Sequence, residues 1–230
     1  MPGSNSLYKA SMFREKLIEY MQTNVRGYAL IDLLTYWQEC SDDEKNSLTS
    51  NLPGEFDFCN TSISSSAAQA LAEILPRLDR PVTRLDLRLC NLNLDKLRVI
   101  CGGISEMKHR MEELYLSQNE FGNAGVEIIS GCLRNLELGR LDLRNCGISP
   151  TGLEGLCGEI ELLDIPMKYL DLSENEFGNA EVEIISAFGF LRKVEWLGLQ
   201  HCGISDDGKQ ILRMNLETLG LPRPTVDFDL

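Results

Sequence analysis

A duplicated segment constrains the fold more than any other feature of this 230-residue sequence. Residues 116–130 read LSQNEFGNAGVEIIS and residues 172–186 read LSENEFGNAEVEIIS, so 13 of 15 positions are identical at an offset of 56. The segments LDLRLC at 85–90, LDLRNC at 141–146 and LGLQHC at 197–202 follow one another at the same offset. A fixed period of this size predicts structural units that stack on one another.

The 56-residue period is itself double. Its units begin at five apolar residues spaced 29, 27, 29 and 27 apart: Val82, Met111, Leu138, Met167 and Val194. Each unit opens with apolar-x-x-Leu-x-Leu-x-x-Cys/Asn, which predicts a strand whose leucines point inward. Apolar residues at helical spacing follow, as at Val126, Ile129 and Leu133, and predict a helix.

Shorter signals mark the helix starts and the ends of the array. Ser149 before Pro150, and Ser205 before two aspartates, suit helix N-termini. Asn123 and Asn179 are predicted to cap the alternate helices. A degenerate copy covers residues 56–75, and a half-copy at 216–221 predicts a last strand.

One strand–helix unit cannot bury its own apolar face, so the units must stack. We predict an α/β fold: a short, curved horseshoe solenoid with a parallel sheet on the concave face and helices on the convex face. The repeats occupy residues 53–221. An N-terminal helical cap occupies 1–52, and 222–230 form a mobile tail or a minimal cap.

Three helices are expected in the N-terminal segment. The first carries Phe13, Leu17, Ile18 and Met21, and the second runs from Leu30 to Trp37 after a break near Gly27. The third begins at a capping box at Ser41 and ends near Leu48. These helices either shield the edge of the first repeat or form a separate docking module, with Trp37, Tyr28 and Tyr36 as surface anchors.

The alternating 29- and 27-residue units, with Cys and Asn at the turns, resemble the ribonuclease-inhibitor type of leucine-rich repeat. That class includes ribonuclease inhibitor, the repeat domains of NOD-like receptors, tropomodulin and the Ran GTPase-activating protein. The resemblance covers residues 54–221. It implies a general binding scaffold and leaves the function open.

The sequence carries no pattern that indicates catalysis, a cofactor or a metal. Cys90, Cys146 and Cys202 recur on every second strand, about 10 Å apart, which is too far for disulfides. We interpret them as small apolar turn residues. Cys-x-x-Cys and zinc-type His/Cys spacing are absent from the sequence, as is a Walker-type loop. His109 and His201 occupy different unit positions.

The charge and hydropathy patterns restrict the partner. The net charge of −13 disfavours binding to nucleic acid or to an anionic membrane. The sequence shows neither an apolar run of spanning length nor a secretory signal. We therefore expect a cytoplasmic monomer that does not insert into membranes.

The strand register places three columns of side chains on the concave face. The first column runs from Arg84 to Thr218, and the second runs from Asp86 to Gly220. The third column runs from Arg88 to Gln200, at the ends of the strands. The partner-binding residues predicted from these columns are Arg84, Asp86, Arg88, Glu113, Tyr115, Arg140, Asp142, Arg144, Tyr169, Asp171, Trp196 and Gln200. Tyr, Trp and Arg are enriched at binding hot spots.

Two alternatives remain open for this face. Its Arg and Asp side chains are expected to form ion pairs across neighbouring strands, and these could be purely structural. The C-terminal segment could also fold back, so that Phe228 covers Trp196.

We predict a non-catalytic protein-interaction scaffold, such as an adaptor, an inhibitor or an effector, that binds another protein on its concave face. The alternatives are a regulator of a small GTPase and a cytoskeletal capping protein. The first alternative needs an exposed Arg or Asn at a repeat turn, for which Asn91, Asn119, Asn145 and Asn175 are the candidates. No helical actin-binding segment is recognisable in the sequence for the second.

Overall fold

The repeats form one parallel sheet. The computed structural model describes residues 27–50, 52–133, 136–187, 189–218 and 225–228. Within these ranges seven parallel strands pair in chain order. The strands are β1 (Glu55–Asp57), β2 (Val82–Asp86), β3 (Met111–Tyr115), β4 (Arg140–Asp142), β5 (Met167–Asp171), β6 (Val194–Gly198) and β7 (Thr225–Asp227).

Helices connect the strands and cover the other side of the sheet. They are α1 (Tyr28–Glu39), α2 (Asp42–Thr49), α3 (Ser65–Ile74), α4 (Leu94–Ser105), α5 (Gly122–Leu133), α6 (Pro150–Glu161), α7 (Ala180–Ala187) and α8 (Asp206–Thr218). Short 3-10 turns, Leu75–Arg77 and Gly189–Lys193, lead into β2 and β6. Since helices are wider than the strand spacing, the stack curves, and the predicted α/β leucine-rich-repeat solenoid is confirmed.

A ladder of leucines aligns the strands. Leu85, Leu114, Leu141, Leu170 and Leu197 pair across successive strands, and each is fully buried. Because side chains alternate along a strand, this register turns the predicted columns away from the core. From α3 to α8, each helix packs on its neighbour and buries apolar residues in the same core as the leucine layer.

The N-terminal helices pack onto the first repeat. The first predicted helix, around Phe13–Met21, lies outside the described residues. The second and third are confirmed as α1 and α2, and the capping box of Ser41 with Glu44 is present. Trp37 is fully buried, and its indole N–H donates to Glu73 on α3 at 3.4 Å. Trp37 is therefore a packing residue and not a surface anchor, whereas Tyr28 is 77% exposed.

The last strand lies beyond the predicted one. Residues 216–218 belong to α8, where Leu212 and Leu216 are buried one turn apart; residues 219–221 lie outside the described residues. The strand prediction at Leu216–Thr218 is therefore wrong, because helical spacing of leucines outweighed the local Leu-x-x-Leu resemblance to a strand. The sheet ends instead with β7, where Val226 pairs with Leu197.

The asparagines at the starts of the alternate helices link neighbouring repeats. Asn123 lies inside α5, and its Oδ1 accepts from the Ser149 amide at 2.9 Å while its Nδ2 donates to Ser149 Oγ at 2.7 Å. Asn179 Oδ1 accepts from the Ser205 amide at 3.0 Å. Each bond joins one helix start to the next, so the prediction that Asn123 caps its own helix is wrong.

Candidate binding surface on the concave sheet

The structure brings the predicted surface residues together in continuous columns. Arg84, Glu113, Arg140, Tyr169 and Trp196 are consecutive partners across β2 to β6. The second column consists of Asp86, Tyr115, Asp142, Asp171 and Gly198. The columns end at Thr225 and Asp227 of β7, which replace the predicted Thr218 and Gly220.

Asp86 is the centre of an ion-pair cluster on β2. Its carboxylate is fully buried and accepts from Arg84 Nη2 at 2.8 Å and from Arg88 Nη2 at 2.6 Å. Burial would raise the pKa of Asp86, but the hydrogen bonds from both arginines outweigh it and hold the pKa below its usual value. The pairs run along one strand and not across strands, because residues two apart share a face and arginine is long enough to reach back.

Tyr115 joins this cluster to the next strand. The Arg84 and Arg88 guanidinium carbons lie 4.6 and 5.2 Å from its ring centroid, within cation–π range. Its hydroxyl donates to Glu113 at 2.9 Å. Glu113 Oε1 also lies 4.0 Å from Arg140 Nε, which is an ion pair between β3 and β4.

Asp142 has a different environment from Asp86. Its carboxylate accepts from Ser117 Oγ at 2.9 Å and from the Arg144 amide at 3.1 Å. Burial, with the nearby charge of Asp171, raises the pKa of Asp142 despite these hydrogen bonds. The same repeat position therefore holds a strongly paired carboxylate in one copy and a destabilised one in the next.

Arg144 binds a residue that is not among the predicted binding residues. Its guanidinium pairs with Glu174, in the turn after β5. In the earlier copy the position of Glu174 is Gln118, and this is one of only two differences between the duplicated segments. That difference was the available signal for a pair specific to the later copy.

Three side chains form a stack across β4, β5 and β6. The Arg140 guanidinium carbon lies 3.8 Å from the Tyr169 ring centroid. The Tyr169 and Trp196 rings are 4.0 Å apart at their centroids and inclined by 2°. The Tyr169 hydroxyl donates to Asp171 at 3.2 Å, which fixes the ring at its far end. The contacts therefore hold the guanidinium group of Arg140 and the two aromatic rings in one fixed arrangement on the sheet.

Gly198 makes room for the stack. A Cβ added there would lie 2.6 Å from Trp196 Cη2 and 2.5 Å from Asp171 Oδ1, closer than real contacts allow. The indole ring therefore lies along the sheet over a glycine. Any larger residue would displace it.

The C-terminal strand borders the stack without covering it. Val226 and Phe228 occupy positions that face the core, and Phe228 is 7% exposed. Gln200 at the end of β6 donates to Asp227 at 2.9 Å. The alternative in which Phe228 folds over Trp196 is therefore wrong. Side chains alternate between the two faces of a strand, so Phe228 lies on the same face as Val226 and opposite to Trp196.

The turns that follow the strands are held by buried polar side chains. Asn119 Oδ1 accepts from the amides of Cys90 and Leu92, and its Nδ2 donates to the carbonyls of Leu87 and Leu116. Asn175 repeats this pattern in the later copy. Both asparagines are buried and committed to the backbone, so neither is available at the surface.

The recurring cysteines are buried turn residues. The thiols of Cys90, Cys146 and Cys202 donate to carbonyl oxygens of the preceding turn at 3.1 to 3.5 Å. None of the eight cysteines, all of which lie within the described residues, forms a disulfide. Burial raises the pKa of Cys90 to about 12, so its thiol is protonated and a poor nucleophile.

Within the part of the chain that the structure describes, no group of three or more His, Cys, Asp or Glu side chains is arranged to hold a metal ion. Among the same residues, no helix is both long enough and apolar enough to cross a bilayer.

Comparison with known proteins supports the repeat assignment. A family model described as Leucine Rich repeat matches residues 135–157. Mouse ribonuclease inhibitor is 30% identical over 129 residues, which is 54% of this chain and 28% of that protein. Mouse NACHT, LRR and PYD domains-containing protein 14 is 28% identical over 133 residues, 56% of this chain and 13% of that protein.

Pig ribonuclease inhibitor is 28% identical over 130 residues, 54% of this chain and 28% of that protein. The chain thus spans less than a third of the length of these curated relatives. Repeat spacing, the parallel sheet with its Asn and Cys turns, and these matches lead to one assignment. The chain is a leucine-rich-repeat solenoid whose repeats are similar to those of ribonuclease inhibitor.

Proposed function

We propose that this chain is a non-catalytic scaffold that binds a protein partner on its concave sheet, as an adaptor, inhibitor or effector. The observation that carries the proposal is the Arg140–Tyr169–Trp196 stack. Its side chains are ordered by contacts within the sheet, so a partner that packs on them loses little rotamer entropy. Similarity to ribonuclease inhibitor supports a protein-binding role.

The remaining surface favours a partner with mixed polarity. Arg84 and Arg88 keep about a third of their side chains exposed after pairing with Asp86. They provide donors beside Tyr115, two strands from the aromatic stack, and a net charge of −13 favours a basic partner at longer range. We propose that the protein acts as a monomer in the cytosol, where eight cysteines without disulfides are stable.

The test compares two variants by affinity capture and then by direct titration of the captured partner. The concave variant carries Tyr115→Ala, Tyr169→Ala and Trp196→Ala. The matched convex variant carries Ile211→Ala and Met214→Ala, which remove exposed apolar side chains from α8. Circular dichroism establishes that both variants fold.

We expect partners of the wild type to be retained by the convex variant and lost by the concave one. Trp196→Ala alone should weaken binding about 30-fold, as for a hot spot of about 2 kcal/mol. Equal capture by all three proteins would refute the concave-face proposal.

A further inference from the structure

The convex side carries a groove that the concave site does not explain. It lies between α5 and α6 and has a volume of about 430 Å³. Gly131 and Gly155 line it from the two helices, and both are exposed. A Cβ added at either glycine would meet nothing within 4 Å. These glycines are therefore not needed for internal packing, and they allow another backbone to approach closely.

A buried hydroxyl without a partner lies in the same groove. Ser130 is only 7% exposed and lines the groove, yet its Oγ has no hydrogen-bond partner. Buried polar groups are nearly always paired, and each exception requires an explanation. A group that arrives from outside the chain would supply the missing bond.

The later copy of the repeat shows which group fits. Ser186 lies 56 residues after Ser130 in the duplicated segment, and the Asn215 carboxamide on α8 donates to its Oγ at 2.7 Å. The position equivalent to Asn215 on α6 is Glu159, and the position of Gly155 is occupied by Ile211 on α8. The α5–α6 groove thus lacks both the carboxamide of Asn215 and the larger side chain of Ile211, which the later copy has on α8.

We propose that the α5–α6 groove binds a helix of a protein partner that inserts an asparagine or glutamine carboxamide toward Ser130 Oγ. A helix is the expected carrier because the internal precedent is helical and because Gly131 and Gly155 admit a close backbone. Exposed Glu127 at the rim favours a lysine or arginine near the carboxamide. This surface is independent of the concave sheet, so the two partners can bind together.

The probes are two helical alanine–lysine peptides that differ only in a central Asn or Leu, which have similar size. Each is titrated into the ¹⁵N-labelled protein while the amide resonances of Gly131 and Gly155 are followed. We expect the Asn peptide to shift both resonances and to bind at least tenfold more tightly than the Leu peptide.

Three variants localise the effect. Ser130→Ala should abolish the preference for Asn, and Glu159→Asn should abolish it by supplying the carboxamide internally. Ser186→Ala, the matched control, should leave it unchanged. Equal binding of the two peptides, or a preference that persists in Ser130→Ala, would overturn the proposal. If propionamide at the same concentration shifted the Gly131 and Gly155 resonances as much as the Asn peptide does, the proposal that a helix carries the carboxamide would be overturned.

Discussion

Replacing Asn119 with alanine should be among the most damaging single changes to this protein. The side chain is 2% exposed and hydrogen-bonds five backbone groups in two successive turns. One of them, the Ser117 carbonyl at 3.3 Å, also accepts from the Leu89 amide and keeps that partner without Asn119. The amides of Cys90 and Leu92 donate at 3.2 and 3.0 Å, and the carbonyls of Leu87 and Leu116 accept at 2.9 and 2.8 Å. The substitution takes the Asn119 partner away from these other four groups.

The cost follows from the number of these groups. An unsatisfied buried backbone group costs roughly 1–3 kcal/mol. The Leu116 carbonyl keeps its bond from the Cys146 thiol, so three groups lose their partner. Three groups at the lower limit give a loss of about 3 kcal/mol in the free energy of unfolding, a large part of the 5–15 kcal/mol typical of a whole domain. The loss should be measured by urea denaturation, monitored by circular dichroism.

The control is Asn145→Gly. Asn145 is exposed and has φ 50, a conformation that glycine adopts readily. We expect it to change the unfolding free energy by less than about 1 kcal/mol. If Asn119→Ala also costs less than about 1 kcal/mol, the turn ladder is not a main source of stability and the reasoning fails.

Three further predictions concern individual sites. Asp86→Asn should lower the free energy of unfolding by about 2 kcal/mol at neutral pH, and because the pKa of Asp86 is lowered on folding, this loss should shrink as the pH falls below about 4. The pKa of Asp142 is raised, so Asp142→Asn should be neutral or stabilising at pH 7, and its advantage should disappear toward pH 4. Urea denaturation across this pH range tests both predictions, and both are contradicted if the two variants behave alike. Ser130→Ala should stabilise the protein by about 1 kcal/mol and Ser186→Ala should destabilise it by a similar amount, so effects of one sign in urea denaturation would disprove the difference between the grooves. Gly198→Ala should displace the indole ring and cost about 1–3 kcal/mol, with a changed near-ultraviolet circular dichroism spectrum, whereas an unchanged spectrum would show that the ring does not need the glycine.

The inward leucines could be predicted because their period of two coincides with a repeat of fixed length. Once Leu85 and its copies were placed on strands, the outward columns followed without further information. The same spacing also contained the correct last strand. Adding 29 residues to Leu197 gives Val226, its observed partner. The local similarity of residues 216–221 to a strand disagrees with that spacing, and the strand predicted at 216–218 is therefore wrong.

The pairing of the outward side chains could not be predicted from the pattern. Asp86 and Asp142 occupy equivalent positions next to equivalent arginines, yet Arg88 turns back to Asp86 while Arg144 reaches Glu174. The choice depends on which rotamer finds a carboxylate in three dimensions, and one substitution, Gln118 to Glu174, changes it. Likewise, the parallel contact of Tyr169 and Trp196 depends on the space left by Gly198, which lies two residues after Trp196 on β6.

The near identity of residues 116–130 and 172–186 has a consequence for folding. Either segment offers the same inward leucine and phenylalanine and the same buried asparagine. During folding the later segment can therefore dock in the place of the earlier one and trap the chain out of order. The Arg144–Glu174 pair distinguishes the two places. In the wrong place Glu174 would meet Arg88, whose guanidinium already binds Asp86. A surface ion pair that adds little to the free energy of unfolding can thus favour the correct order of the duplicated segments during folding.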